Sequence, residues 1–327
     1  MSGQPPRDED WRPSASLETL RLRATMLADA RAFFAERGLL EVETPVLGHG
    51  GVTDPQIESL TTRVSGAAAP LYLGTSPEFA MKRLLAAGSG DIYQICRVFR
   101  DEESGRWHNP EFTMIEWYRL GFDDTALMSE VEALVARLLA PRRRLARAER
   151  LSYCEALRRH AGVDAHSASL QELRAAAAAR GIECGSELDR DEALDLLMGL
   201  IVGPRLGLEA PCFICDYPAS QASLARLKPG DPPVAARFEL YLDGLELANG
   251  FHELCAADEQ RARFERDLEY RRDRGRGLPA IDERLISALG RGLPECAGVA
   301  LGFDRLVALA VGADRLAQAM AFPLERA

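Results

Sequence analysis

The apolar positions over residues 16–38 follow the period of an α-helix. Leu20, Leu27 and Phe34 recur every seven residues and therefore share one helical face. Gly38 is a typical residue at a helix C-terminus, because glycine readily adopts the left-handed backbone found there. The pattern predicts a long amphipathic helix near the start of the chain.

Short runs rich in β-branched and aromatic residues predict the strands. The first run ends before Pro45, which cannot donate to a ladder and therefore indicates a sheet edge or strand end. Two later runs flank Asp243-Gly244, a pair that suits the type I′ turn of a β-hairpin. The predicted strands cover residues 39–43, 71–73, 91–100, 113–119, 238–242, 245–247 and 297–303, and further helices are predicted over residues 77–88 and 304–311.

The stretch from about residue 123 to 207 is rich in Leu, Ala and Arg and lacks strand alternation. It predicts helices inserted between two halves of a sheet domain. Because the strands are joined by hairpins rather than by regular helical crossovers, we expect a mainly antiparallel sheet flanked by helices. The predicted fold class is α+β, as a single domain over residues 1–327.

Length and hydropathy indicate an ordinary globular protein. The chain has 327 residues, 47% of them hydrophobic, which is enough for a large core. The N-terminus has no apolar run behind a basic start, and no segment approaches the roughly 18 apolar residues of a membrane span. We therefore expect a cytoplasmic protein without a membrane partner.

The net charge of −10 predicts a surface that does not attract nucleic acid non-specifically. Residues 141–150 (PRRRLARAER) are a local exception with five arginines. Such a run is typical of a solvated linker, and contact with an acidic partner protein is the alternative.

The seven cysteines are scattered and odd in number, which favours reduced thiols over a disulfide framework. Cys212 and Cys215 form a CxxC pair in a strand-like setting. Since no second CxxC or His pair accompanies them, buried core thiols are favoured over zinc or redox chemistry.

The first cluster of candidate functional residues lies in two strands around a charged loop, residues 98–118. Because side chains alternate along a strand, Phe112, Glu116 and Tyr118 share one face while Ile115 points to the other. An aromatic ring, a carboxylate and a phenol beside a basic loop suit a ligand with a flat ring, phosphates and a cationic tail. The alternative is a solvated sheet face with ordinary cross-strand pairs.

The second cluster holds two acids seven residues apart, Glu246 and Glu253. An unbroken strand would send them to opposite faces, so a bulge at Asn249-Gly250 is predicted to restore them to one side. Carboxylates paired in this way bind Mg²⁺ together with substrate phosphates. The alternative is a pair of surface acids.

The third cluster covers residues 298–306. Gly298, Ala300 and Gly302 leave one strand face almost without side chains, so a ligand can lie flat on it. Asp304 is predicted to cap the following helix, and Arg305 to point back toward the ligand. The alternative is close packing of a helix on a glycine-rich strand.

In their order and spacing the three clusters resemble the class II aminoacyl-tRNA synthetases, specifically the lysyl branch. Residues 39–45 are similar to motif 1, residues 99–118 to motif 2 (FRDEE…HNPEFTMIEWY) and residues 298–306 to motif 3. The resemblance extends from about residue 17 to the C-terminus. It implies the class II catalytic fold, an ATP-dependent ligase that forms an aminoacyl-adenylate, and a homodimer built through motif 1.

Only about fifteen residues precede the first predicted helix, so the resemblance implies that the anticodon-reading domain of lysyl-tRNA synthetases is missing. The chain is similar to truncated synthetase paralogues that attach (R)-β-lysine to a lysine of elongation factor P. The similarity includes Ser76-Pro77-Glu78, PASQASLA at 218–225, LELANGFHEL at 245–254 and the alanine of GVALGFDR. It implies β-lysine or lysine, ATP and Mg²⁺ as ligands, elongation factor P as the protein substrate, and no tRNA.

The resemblance also implies a role for each matching residue on the nucleotide side. Arg100 and Arg305 would act on the phosphates as the catalytic residues, Phe112 would stack on adenine, and Glu246 with Glu253 would hold Mg²⁺. An acid at 101 departs from the family's usual asparagine and is expected to point outward. The full predicted ATP set is Arg100, Asp101, Glu102, His108, Asn109, Phe112, Glu246, Leu247, Gly302 and Arg305.

On the amino-acid side, Glu78 would pair with the ammonium near the carboxylate, and Glu116 with Tyr118 would receive the distal ammonium. The methyl group of Ala300, where glycine is usual, would narrow the pocket floor and favour an amino group on the β carbon. The full predicted set is Ser76, Pro77, Glu78, Glu116, Tyr118, Asn249, Glu253 and Ala300.

Two other functions stay open at this point. A truncated lysyl-tRNA synthetase paralogue would still charge tRNA, which the acidic composition disfavours. A regulatory paralogue would bind without catalysis, although such proteins tend to lose phosphate and metal ligands that this chain retains.

Overall fold

The computed structural model describes residues 11–327. The predicted lack of a targeting segment concerns residues 1–10 and lies outside the described residues. The helices are α1 Leu17–Ala35, α2 Glu78–Ala86, α3 Asp124–Leu139, α4 Tyr153–Ala161, α5 Leu170–Ala178, α6 Arg190–Leu197, α7 Ala257–Asp273, α8 Glu283–Gly292 and α9 Phe303–Ala310. Within residues 11–327, none of the helices has the length and apolar character that crossing a bilayer requires.

The long first helix predicted from the sequence is confirmed as α1. Ser16 caps it by accepting a hydrogen bond from the Thr19 amide, and Gly38 follows with a φ of +74°. Phe34 is fully buried on the predicted face, while Leu20 and Leu27 are half-buried. The other predicted helices correspond to α2 and α9, whereas α7 and α8 were not predicted.

The strands are β1 Leu40–Glu41, β2 Leu47–Gly48, β3 Thr61–Thr62, β4 Leu71–Leu73, β5 Ile92–Phe99, β6 Glu111–Leu120, β7 Glu149–Ser152, β8 Cys212–Pro218, β9 Leu227–Lys228, β10 Val234–Leu242, β11 Leu245–His252 and β12 Cys296–Gly302. Nine of them form one sheet in the order β1-β5-β6-β12-β11-β10-β8-β7, with β9 beside β10. The pairs β1–β5 and β7–β8 at the two edges are parallel, and the other pairs are antiparallel. The predicted α+β fold with a mainly antiparallel sheet is confirmed.

Helices cover the two faces of the sheet differently. On one face Ile115 and Trp117 of β6 join Phe34 of α1 in a core that also contains side chains of α3 and α9. On the other face Tyr118 packs with Met81 of α2 and with side chains of α7 and α8. Between these helices the second face is left open, and the cavity described below lies there.

The insertion predicted over residues 123–207 is only partly helical, which corrects that prediction. Glu149–Ser152 is strand β7, which adds to the sheet beside β8. In addition, α3 packs in the core formed with α1 and α9. The segments around α4, α5 and α6 form a separate core with one side of β8, so the part that packs apart from the main core begins after α3.

The hairpin of β10 and β11 confirms one prediction and corrects another. Asp243 and Gly244 have φ values of +51° and +75°, as a type I′ turn requires. The predicted bulge at Asn249-Gly250 is wrong: the register shifts where Leu240 pairs with Ala248 and Tyr241 with Glu246. The extra residue is Leu247, and it is buried in the same core as Ala248.

The arginine-rich segment is bound to the body of the protein at several points. Arg142 forms an ion pair with Glu18, Arg143 forms one with Asp243, and Arg150 donates to Ser129. These contacts favour the linker interpretation of residues 141–150.

The cysteines are reduced, as predicted. All seven are free thiols, with Cys212 buried and Cys215 half-buried on β8. Within the described residues no group of three or more His, Cys, Asp or Glu side chains is arranged to hold a metal ion by itself. Cys212 belongs to the core formed with α4, α5 and α6, and Cys215 packs against the main core, which favours the interpretation as core thiols.

Candidate active site

A cavity of about 540 Å³ opens on the second face of the sheet. Its walls come from residues 45–54, the turn before α2, the loop 100–109 and the first turn of α9. Its floor is β12 with its neighbours β6 and β11. The cavity thus brings the three sequence clusters together at one open sheet surface.

The floor is low because the side chains of β12 are small. Gly298 lies between Tyr118 of β6 and Phe251 of β11, and Ala300 lies between Glu116 of β6 and Asn249 of β11. The four larger residues all line the cavity. A Cβ atom on Gly298 would lie 2.2 Å from the Tyr118 ring and 2.6 Å from a Glu253 carboxylate oxygen. Glycine at this position is therefore required by the close approach of these two side chains.

The bulge at Leu247 determines which side chains of β11 reach the cavity. Beyond it, Asn249, Phe251 and Glu253 alternate toward the cavity, and the extra residue brings Glu246 to the same side. The two acids of the second cluster share one face, as predicted, although by a bulge at a different place.

One end of the cavity is basic. The Arg305 guanidinium donates to the Glu246 carbonyl at 2.8 Å and to His108 Nε2 at 2.7 Å. Desolvation and the Arg305 charge lower the pKa of His108, so the imidazole is neutral and accepts this hydrogen bond.

Arg100 lies at the same end with weaker contacts. It donates to the Thr75 carbonyl at 3.3 Å and to Glu103 at 3.4 Å, and its guanidinium lies 5.2 Å from the centre of the Phe112 ring. Two guanidinium groups and an aromatic ring at one end suit a ligand with phosphates and a flat heterocycle.

The opposite end of the cavity is acidic and deeply buried. Glu116 is 2% exposed and Glu253 is 0% exposed, and Glu78 lies beside them at the start of α2. The Tyr118 hydroxyl donates to Glu116 Oε1 at 2.7 Å. Glu253 Oε2 lies 2.6 Å from Nζ of the buried Lys82, and Glu78 Oε1 lies 2.6 Å from the same nitrogen.

Three buried acceptor atoms at this end have neither a hydrogen-bond donor nor an ion-pair partner within residues 11–327. They are Glu116 Oε2, Glu253 Oε1 and Asn249 Oδ1. An unpaired buried acceptor costs about 1–3 kcal/mol, so these atoms favour a ligand that brings N–H groups.

The raised pKa values of the acids at this end also favour a ligand that carries N–H groups. Burial and the nearby Glu78 charge raise the pKa of Glu116 well above its ordinary value. Burial raises the pKa of Glu253 to about 7, against the opposing effect of Lys82. Cationic ligand groups would favour the ionised carboxylates and so reverse both shifts.

Glu246 lies toward the basic end and is separate from Glu253. Desolvation in the cavity and the charge of Glu239 raise the pKa of Glu246 to about 7, against the effect of Arg305. The charges that act most strongly on Glu253 are those of Lys82 and Glu78. The charge of Glu239 therefore acts more strongly on Glu246 than that of Glu253 does.

Three of the predicted nucleotide residues do not line the cavity. Asp101 and Glu102 are exposed on the loop, and the Asp101 carboxylate accepts from the Glu102 amide. Leu247 is the buried bulge residue. The outward orientation expected for Asp101 agrees with its exposure, and the roles of Glu102 and Leu247 in ATP binding stay predictions. The other predicted site residues all line the cavity: Ser76, Pro77, Glu78, Arg100, His108, Asn109, Phe112, Glu116, Tyr118, Glu246, Asn249, Glu253, Ala300, Gly302 and Arg305.

The predicted helix cap at Asp304 is also wrong. The Asp304 carboxylate is 2% exposed and accepts from the Thr113 amide of β6 and from Arg23 of α1, both at 2.5 Å. It therefore joins the start of α9 to β6 and α1. A local capping signal was overridden by a tertiary contact.

A family model described as tRNA synthetases class II (D, K and N) matches residues 7–326. The chain belongs to this family.

Curated relatives span nearly the same length as the chain. Proteins named elongation factor P--(R)-beta-lysine ligase are 50% identical in Vibrio cholerae serotype O1, 52% in Photorhabdus laumondii subsp. laumondii and 51% in Yersinia enterocolitica serotype O:8 / biotype 1B. The alignments cover 97–98% of this chain and 98–99% of each relative.

Membership of the class II tRNA synthetase family and the ligase names of these relatives make the chain an ATP-dependent ligase, as predicted. In this class II protein the segment resembling motif 2 is the hairpin of β5 and β6, and the segment resembling motif 3 is β12 with α9. ATP is its nucleotide substrate.

Sequence reasoning missed two charged residues near the cavity. Lys82 lies four residues after Glu78, a helical i,i+4 spacing that could have indicated their contact. Glu239 of β10 lies directly opposite Asn249 of β11. Strand alternation in the predicted hairpin could have indicated on which face of the sheet Glu239 lies.

Proposed function

We propose that the chain activates (R)-β-lysine with ATP as an aminoacyl-adenylate and transfers the acyl group to a lysine ε-amine of elongation factor P, without tRNA. The observation that carries the proposal is the division of one cavity into a basic end and an acidic end with unpaired acceptors. The names of the relatives specify the amino acid and the protein acceptor.

In the first step a carboxylate oxygen of the amino acid attacks the α-phosphorus of ATP, and the bond to pyrophosphate breaks. Arg100 and Arg305 would neutralise the charge that builds on the phosphates, while Phe112 stacks on adenine. Each arginine would exchange its present contact, Glu103 or His108, for phosphate oxygens.

The donor set fits Mg²⁺ at the basic end. No described residue donates a hydrogen bond to the Glu246 carboxylate, and its charged contact with Arg305 is long, at 4.0 Å. Mg²⁺ is commonly held by one or two carboxylates together with substrate phosphates. When bound, the ion would neutralise phosphate charge, with Glu246 as its protein ligand. Both carboxylate oxygens of Glu239 already accept from Arg237 and Tyr241. Glu253, the partner predicted from sequence, is proposed below to receive the amino acid.

At the acidic end the substrate ammonium groups would meet Glu78, Glu116 and Glu253, with Tyr118 orienting the Glu116 carboxylate. Two separated ammonium groups would supply N–H donors to the three unpaired acceptors. The methyl group of Ala300, level with Glu116 and Asn249, would favour the β position for the inner amino group.

In the second step the neutral ε-amine of the acceptor lysine attacks the acyl carbon of the adenylate. The C–O bond to AMP breaks, an amide forms, and the amine nitrogen loses a proton. The adenylate is a mixed anhydride, so positioning of the amine suffices and no covalent enzyme intermediate is required.

We also infer a homodimer. Leu40, in the segment resembling motif 1, is an apolar side chain that is 55% exposed. An exposed apolar side chain in the segment through which the resembling family dimerises favours a protein interface. Sedimentation at micromolar concentration tests this inference, and a monomer would contradict it.

ATP–pyrophosphate exchange tests the first step. Arg100→Ala and Arg305→Ala are each expected to lower exchange by about 100-fold or more, because each removes charge stabilisation at the phosphates. Arg97→Ala is the matched control, since Arg97 lies on the same hairpin in an exposed ion pair with Glu111. Retained exchange in both cavity variants, with folding intact, would reject the roles of these arginines.

Substrate identity is tested by exchange with (R)-β-lysine and with α-lysine, followed by mass measurement of elongation factor P. The expected result is preferred exchange with β-lysine and a mass increase on one lysine of the acceptor. Acylation of tRNA instead would support the synthetase alternative, and absence of exchange with either isomer would support a regulatory paralogue.

A further inference from the structure

Lys82 is a buried cation that the reaction scheme above does not use. It lies on α2, is 1% exposed, and has Nζ 2.6 Å from both Glu78 Oε1 and Glu253 Oε2. Both carboxylates line the cavity, whereas Lys82 does not. The ammonium therefore joins, from behind the cavity wall, two acids that come from α2 and from the end of β11.

The charges at this end can be counted. When all three acids are ionised, as two bound ammonium groups would favour, Glu78, Glu116 and Glu253 carry three negative charges and Lys82 one positive charge, which leaves a formal charge of −2. The acyl part of a diamino-acid adenylate carries two ammonium groups and no free carboxylate. Its charge of about +2 matches the cluster only when Lys82 is present and charged.

Geometry supports a charged Lys82. Its Nζ has a carboxylate oxygen at 2.6 Å from each of Glu78 and Glu253, and two such acceptors stabilise an ammonium. Removal of the ammonium would leave two carboxylates at the cavity wall without their shared cation.

We propose that Lys82 is a positioning residue for the amino-acid substrate, which fixes the Glu78 and Glu253 carboxylates relative to each other and matches the charge of the pocket to two ammonium groups. The inference rests on the proposed function and deepens it, because it names a determinant of selectivity for diamino acids.

The chain provides a matched control in Lys228, its one other lysine. Lys228 Nζ lies 2.6 Å from Asp124 and 2.8 Å from Asp216. Like Lys82, Lys228 lies between two carboxylates, although these are aspartates and its side chain is 35% exposed. None of these three residues lines the cavity. A purely structural effect of breaking such a triad should appear in both variants.

The test compares Lys82→Met, Lys228→Met and the wild type by ATP–pyrophosphate exchange between about pH 6 and pH 8.5. For Lys82→Met we expect the KM for the amino acid to rise about tenfold or more, and the KM for ATP to change by less than about twofold. Lys228→Met should keep both KM values.

An unchanged amino-acid KM in Lys82→Met, or equal changes in both KM values, would overturn the proposal. Should Lys82→Met fail to fold, Lys82→Gln replaces it, with norleucine as an additional probe of the wild type. Norleucine lacks the distal ammonium and is expected neither to exchange nor to inhibit; strong competitive inhibition would contradict the charge match. If the wild type exchanges with no diamino acid, the proposed function itself fails, which is a separate result.

Discussion

At the scale of single residues, two arginines reach the same end of the cavity with different support. Arg305 donates to the Glu246 carbonyl and to His108 at 2.8 and 2.7 Å, whereas the contacts of Arg100 are 3.3 and 3.4 Å long. Arg305 is therefore held by two short hydrogen bonds. The longer contacts of Arg100 leave its guanidinium less constrained by the protein.

Gly298→Ala is predicted to lower amino-acid activation by about 100-fold while the protein still folds. The added methyl group would overlap the Tyr118 ring and Glu253, which moves two groups at the acidic end. A displacement of this kind costs about 100-fold in rate, and overpacking costs about 1–3 kcal/mol of unfolding free energy. Pyrophosphate exchange and thermal unfolding measure the two effects.

The control is Gly290→Ala on α8, where the new Cβ would lie 4.0 Å from the nearest side-chain atom, Ala257 Cβ. Because alanine has the higher helix propensity, this variant should keep activity and unfolding temperature or gain slightly in stability. Normal activation by Gly298→Ala would show that the close packing around Gly298 is not needed for the site.

Local patterns predicted residues on one strand better than contacts between distant segments. Alternation along β6 placed Phe112, Glu116 and Tyr118 on the cavity face, because a two-residue period depends on the strand alone. Lys82 was missed because its second carboxylate, Glu253, comes from another part of the chain. A periodic pattern along one segment does not indicate a contact with a distant segment.

At the scale of elements, a buried ion pair joins three parts of the fold. Arg23 of α1 donates to Asp304 of α9 at 2.5 Å and to the Thr113 hydroxyl of β6 at 2.7 Å. The Arg23 and Asp304 side chains are 14% and 2% exposed. Since α9 carries Arg305 and β6 carries Phe112, the pair fixes the two nucleotide-binding elements relative to each other.

Arg23→Met is predicted to lower the free energy of unfolding by about 3 kcal/mol, because it leaves the Asp304 carboxylate buried without its cation. The KM for ATP should rise while that for the amino acid changes little. Denaturant unfolding and exchange kinetics measure the two effects. The control is Arg142→Met, which breaks an exposed pair with Glu18 of the same helix and should cost less than about 1 kcal/mol. Equal losses in the two variants would contradict the prediction.

The element-level errors of the sequence analysis have physical causes. Asn249-Gly250 is a strong local signal for a bulge, but burial of both Leu247 and Ala248 placed the bulge earlier. Strand β7 is four residues long, and its pairing with β8 joins segments far apart in the chain. Its strand conformation depends on that pairing rather than on local propensity.

At the scale of the whole molecule, the sequence predicted the α+β class and the convergence of three clusters on one sheet face. Hairpin signals and strand alternation are sufficient for both, because they determine which faces meet. The packing of α4, α5 and α6 into a core apart from the main one was not predicted, since it depends on contacts with β8.

The distribution of amines over the chain has a consequence for an enzyme that makes a reactive anhydride. Lys82 and Lys228 are its only lysines, and each ammonium is held between two carboxylates. A protonated amine is not a nucleophile, so neither side chain should compete with the true acceptor for the activated acyl group. Incubated with ATP, Mg²⁺ and the amino acid but no acceptor protein, the enzyme should show no acylation of either lysine by peptide mass spectrometry. Self-modification at Lys82 or Lys228 would show that these ion triads do not protect the catalyst from its own product.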